Sequence, residues 1–83
     1  MCIRDRPGAA RLAAAEEAIR VLQGTPRRFE LATALVDHGA LLNAARRRPQ
    51  ARRVLRDGLE LAQECGSPGL VARARALFAG RPA

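Results

Sequence analysis

Eighty-three residues allow one compact unit, and chains this short bury a smaller share of their surface than longer ones do. The apolar fraction is 48%, but Ala supplies 18 residues and there are two Phe and no Trp or Tyr, so any core is thin and its own stability marginal. The net charge of +7 points toward nucleic acid or an anionic surface, yet the basic residues are all Arg and never Lys, which GC-rich codons supply together with Ala, so a solvated basic face is the expected source.

The first six residues, MCIRDR, resemble a translated sequencing adapter at the front of a gene fragment, and residues 1–8 are expected to be a non-native or disordered leader. A first helix is expected over 9–23, because Leu12, Ala15, Ile19 and Leu22 recur at three- and four-residue steps and Gly24 stops the pattern. Glu16 and Arg20 stand four apart in the favourable order on its outer face. A second helix is expected over 27–45, with Thr25 as its cap and Pro26 at its first position. Its apolar residues form two adjacent stripes, Leu31, Leu35 and Leu42 beside Phe29, Ala32, Val36 and Ala40, so it should have neighbours on two sides.

Arg46, Arg47 and Arg48 are expected to close this helix at the negative end of its dipole, with Pro49 opening a third helix over 49–65. There Ala51, Val54, Leu55, Gly58, Leu61, Ala62 and Cys65 repeat at helical spacing, Arg53 to Asp57 and Arg56 to Glu60 make outward pairs, and Gly66 ends the run. Ser67 and Pro68 start a fourth helix over 68–79, apolar at Leu70, Val71, Ala74, Leu77 and Phe78, before Gly80 and Pro82 end it. Residues 9–80 therefore read as one all-α unit of antiparallel helical hairpins, either a closed bundle or a slice of an α-solenoid. Residues 81–83 are expected to be a tail leading toward a missing C-terminal domain.

A 34-residue tetratricopeptide register fits when Gly39 is taken as the small residue of a first helix. Leu35 and Leu42 then fall at its large positions, Ala51 where Ala is wanted, Leu55 at a large apolar position and Gly58 at a small one. Three residues depart from it: His38 stands where Leu is usual, Arg46 replaces the turn Gly, and Gln63 replaces the closing Pro. At these positions "RRFELATALVDHGALL", "ARRVLRDGLELAQECG" and "LVARARALFAGRP" resemble the end of the tetratricopeptide-like region in large ATP-binding LuxR-type transcription regulators, over roughly residues 10 to 83. The resemblance implies a stack of helices that relays signals between an ATP-binding module and a helix-turn-helix DNA-binding domain, both absent here. Its expected partners are neighbouring repeats and domains of the parent chain, with a protein partner or effector beyond them. It carries packing positions across, and no catalytic residue.

Chemistry-bearing patterns are sparse. With no Lys a Walker loop is impossible, and no cofactor is expected in this fragment. His38 is the single imidazole, and its neighbour Asp37 points about 100° away on a helix, so a packing or surface role is expected. Glu16 with Glu17, and Glu60 with Glu64, lie on polar faces among Arg and read as solvated pairs. Cys2 and Cys65 lack metal or disulfide spacing, and Cys65 reads as a small core residue. No apolar run approaches the roughly 20 residues of a membrane span and no signal peptide is evident, so a reduced, cytoplasmic setting is expected. The remaining candidate is the cluster Arg46, Arg47, Arg48, Arg52 and Arg53, where Arg52 and Arg53 oppose the helix dipole and could meet an anion or an acidic partner. No aromatic residue lies nearby in sequence to stack a base, and direct DNA binding by this fragment is not expected. The expectation is thus a non-catalytic interaction segment. The alternative is a free-standing basic helical protein that binds nucleic acid nonspecifically through the Arg cluster.

Overall fold

A computed structural model describes residues 7–80, and their side chains from residue 10 onward. It contains α1 (Pro7–Gln23), α2 (Arg28–Ala44), α3 (Arg48–Glu64) and α4 (Pro68–Phe78). No strand occurs among the described residues, and the all-α hairpin arrangement is as expected. The adapter-like residues 1–6, Cys2 among them, and the tail 81–83 lie outside the described residues. Pro7 and Gly8 belong to α1 rather than to a leader, because the fixed φ of Pro suits a first helical position.

The connections explain the boundaries. Thr25 does not cap α2. Its hydroxyl donates to the Leu22 carbonyl at 2.9 Å and accepts from the Arg27 amide at 3.3 Å, so it ties the loop to the end of α1. Arg27 becomes the N-cap residue of α2 without any side-chain cap, and Pro26 lies outside the helix. Ser67 and Pro68 do occupy the cap and first positions of α4, although the Ser67 side chain makes no cap hydrogen bond.

The next two turns share one construction. After α2, the amides of Arg46 and Arg47 bond the carbonyls of Asn43 and Leu42, and after α3 those of Gly66 and Ser67 bond Gln63 and Ala62. Both are Schellman closures, which need a residue with positive φ just past the helix. Gly66 takes φ 67° freely, but Arg46 takes φ 62° with a Cβ that disfavours it. Arg46 and Arg47 therefore do not close α2, whose last turn holds no basic residue, and Arg48 belongs to α3.

The buried core is a ribbon along α2, α3 and α4. One half holds Val36, Leu42, Ala51, Leu55, Ala74 and Leu77, and the other Ala32, Leu35, Leu61 and Ala62. At roughly 1.5–3 kcal/mol per fully buried Leu or Val, Leu55 and Val36 contribute most. Helix α1 lends only its half-buried Leu12 and Ile19. Phe29 is not in the second stripe's core: it sits in the first turn of α2 and is 53% exposed. Cys65 is exposed as well, because α3 stops at Glu64 and the chain turns away through Cys65 as C-cap.

Close backbone approaches run between chain neighbours and between α2 and α4, and none joins α1 to α3 or α4. The result is an open stack of 44 × 29 × 18 Å, with a radius of gyration of 12.8 Å against about 11.8 Å expected for a compact chain of this length. Its tightest contact lies between α2 and α3. A Cβ built on Gly39 would run into Cγ and Cδ2 of Leu55, and one on Gly58 would lie 3.0 Å from Cγ2 of Val36 and 3.3 Å from its amide nitrogen. Ala51 is fully buried in the same interface. We expect Gly39→Ala and Ala51→Leu each to lower stability by about 1 to 3 kcal/mol through overpacking, although both replacements favour helix or leave propensity unchanged. Urea unfolding checks this, and unchanged midpoints would contradict the close contact.

Candidate functional site

The five candidate arginines gather where the α2–α3 turn meets the C-terminal end of α4, but they divide into two groups. The Arg48 guanidinium lies over Gly80, so close that a Cβ there would stand 2.6 Å from its Nη2. Gly80 has φ 83° and bonds its amide to the Leu77 carbonyl, and Asn43 Nδ2 donates to that same carbonyl at 2.9 Å. Arg48 and Asn43 thus place positive charge and a donor at the electronegative end of α4, which carries unpaired carbonyls. Arg52 stacks over Phe78 with 5.1 Å from its guanidinium carbon to the ring centroid. An aromatic ring is therefore near the cluster after all, brought there by the fold from 26 positions along the chain, and it is spent on Arg52.

Arg46, Arg47 and Arg53 are exposed and have no carboxylate within 4.0 Å among the described residues. Arg46 and Arg47 point from the turn itself, while Arg53 lies about 200° around α3 from the buried Ala51, on the outward face. Two members of the cluster hold α4 in place, and three remain open to solvent.

The expected ion pairs are redistributed. Arg20 pairs with Glu17 rather than Glu16, three residues away instead of four. Neither Arg53 with Asp57 nor Arg56 with Glu60 is formed. Instead Arg28 pairs with Glu64 and Arg73 with Asp37 at 2.7 Å, joining α2 to α3 and α4 to α2. These exposed pairs are each worth only about 0.2–1 kcal/mol, so they add little to the packing that joins the helices. Of the carboxylates considered as catalytic pairs, Glu17 and Glu64 are taken by Arg.

His38 is buried, its side chain 9% exposed, and neither ring nitrogen has a hydrogen-bond partner. Oε2 of Glu16 on α1 lies 3.8 Å from Nε2, beyond hydrogen-bond distance. The six register residues Leu35, Gly39, Leu42, Ala51, Leu55 and Gly58 are all buried in or beside the α2–α3 contact. Open grooves run along Ala72, Arg75, Ala76 and Ala79 on the outer side of α4, and beside Arg28, Asp57, Glu60 and Glu64 between α2 and α3. Neither is lined by His38 or Cys65. Among the described residues no group of His, Cys, Asp and Glu is arranged to hold a metal ion, and no helix is long and apolar enough to cross a membrane.

Two substitutions should stabilise the chain. His38→Leu removes two buried polar atoms without partners and should raise stability by about 1 kcal/mol or more, read as the urea midpoint; a fall would mean that Glu16 holds the imidazole. Arg46→Gly should relieve the positive φ and add about 1 kcal/mol, whereas Gly66→Arg should do the reverse. Compared with protein-family models, with curated proteins and with solved structures, the chain matches none.

Proposed function

We propose that this chain is a non-catalytic helical-repeat segment that acts through its packed surfaces, from the tetratricopeptide-like region of a large LuxR-type transcription regulator. The observation that carries the reading is the open stack: α1 approaches α2 alone, so the first and last helices do not close on each other as they would in a bundle. A second support is the small-residue contact of Gly39, Ala51 and Gly58, which lies where a tetratricopeptide hairpin requires it. The outer side of α4 is lined by Ala72, Ala76 and Ala79 with Arg75, a face suited to another helix in such a stack. In the parent regulator this segment would relay a bound effector's state between an ATP-binding module and a DNA-binding domain, in a reduced cytoplasmic setting. The segment itself uses no cofactor and turns over no substrate.

Recovery of the complete gene tests the reading. A nucleotide-binding loop should be encoded upstream and a helix-turn-helix downstream, and an open reading frame with neither would contradict it. Titration with a random-sequence DNA duplex tests the chain itself. At about 150 mM salt the chain should show no binding in the range of about 10⁻⁴–10⁻⁶ M that nonspecific DNA binders reach. Binding at that salt that disappears when Arg46, Arg47, Arg48, Arg52 and Arg53 are all changed to Gln would instead favour a basic protein that binds nucleic acid nonspecifically.

A further inference from the structure

Charge is segregated along the helix direction. The antiparallel hairpins bring residues 10–14, 39–55 and 74–80 to one end of the stack, on one side of the level where Glu16 lies beside His38 and Arg73 pairs with Asp37. That end carries Arg11 and Arg75 besides the five arginines around the α2–α3 turn, and no Asp or Glu. Every carboxylate among the described residues lies at that level or toward the other end. The positive excess is therefore gathered at one end, where like charges repel and no acid offsets them.

Part of this charge serves the fold. Arg48 and Arg52 are held against α4 at Gly80 and Phe78. Arg46, Arg47 and Arg53 are exposed, and among the described residues none has a carboxylate within 4.0 Å. Arg46 also holds φ 62° at a helix closure that Gly66 fills without strain after α3. The dipole of α2 favours a cation there, but Arg47 beside it already supplies one. Strain kept at an exposed cation points to a contact that the folded chain alone does not make.

We propose that Arg46, Arg47 and Arg53 receive an acidic, Asp- or Glu-rich segment of a protein partner. From Arg47 to Arg53 the attachment points spread over about 9 Å of the α3 axis. That spread suits carboxylates spaced along a chain, roughly 7 Å apart at alternate residues of an extended segment, better than a single phosphoryl group. Each guanidinium presents a planar fork that can pair with a carboxylate through two hydrogen bonds. Single-stranded nucleic acid fits less well, because it is held by open aromatic rings as well as cations and Phe78 is covered by Arg52. The contact uses the α2–α3 turn and an exposed position beyond it, so it stands whether or not the chain is a repeat segment.

NMR titration of the isotope-labelled chain with a peptide of about ten residues, alternating Glu and Gly, tests this at about 150 mM salt. The backbone amide and guanidinium signals of Arg46, Arg47 and Arg53 should shift with a common Kd of about 1 mM or tighter, while those of Arg20, Arg27 and Arg28 at the other end stay in place. The same peptide with Gln for Glu should shift neither set. Changing Arg46, Arg47 and Arg53 together to Gln should weaken binding at least about tenfold. Changing Arg20, Arg27 and Arg28 together to Gln removes the same charge from the other end and should leave binding within about threefold. Circular dichroism checks that both variants keep their helix content. Absent shifts, an equal response to the Gln peptide, or equal losses in the two variants would each overturn the proposal. So would a random-sequence DNA duplex that binds at the same salt through the same three arginines more tightly than the peptide, which would assign this end to nucleic acid.

Discussion

The backbones of α2 and α3 can approach as they do because Gly39, Ala51 and Gly58 offer no side chain beyond a methyl at the crossing. Leu55 fills the notch left by Gly39, and Val36 with Leu35 fills the one left by Gly58. The remaining core follows from that contact. With α2 and α3 locked, α4 lies against both, and Ala74 and Leu77 complete the half of the core that Val36, Leu42 and Leu55 begin. Two glycines in helix interiors cost about 1 kcal/mol each relative to Ala, a loss that only interhelical packing offsets. The thinness of the core makes this approach necessary. Without Trp or Tyr to span a gap, Ala-rich helices bury apolar area only by moving closer together.

Charged contacts then bridge what packing assembles. Arg28 to Glu64 and Arg73 to Asp37 cross between helices, and Arg48 with Asn43 meets the carbonyl end of α4. Each is weak on a solvated surface, so they supplement the interhelical packing rather than replace it. Two positions work against stability. Arg46 holds a backbone conformation suited to Gly, and His38 carries two buried nitrogens without partners. Both are places where the sequence departs from the repeat pattern.

Much of the fold was legible because helical periodicity and Pro and Gly punctuation are local signals. The apolar spacing of Leu35, Val36, Leu42, Ala51 and Leu55 marked the residues now buried, and Gly66 marked a positive-φ turn. The misreadings have tertiary causes. Phe29 has helical spacing but lies exposed in the first turn of α2. Thr25 found a carbonyl behind it in α1 before an amide ahead of it. The intrahelical pairs of Arg53 with Asp57 and Arg56 with Glu60 are not formed, whereas Arg28 and Arg73 reach Glu64 and Asp37 on other helices, which spacing within one helix cannot reveal. In the Arg cluster, the fold separates Arg48 and Arg52 from the rest by bringing Phe78 and Gly80 beneath them, 26 and 32 positions away.

The account rests on α2 and α3 forming one tight unit against which α1 leans from outside. Native-state amide hydrogen exchange with increasing denaturant measures this residue by residue. The amides of α2 from Leu35 to Leu42 and of α3 from Ala51 to Ala62 should be the slowest and should open together, while those of α1 from Leu12 to Leu22 open earlier at lower free energy. If α1 exchanges as slowly as α3, with the same denaturant dependence, the four helices form one closed cooperative bundle and the open stack is wrong.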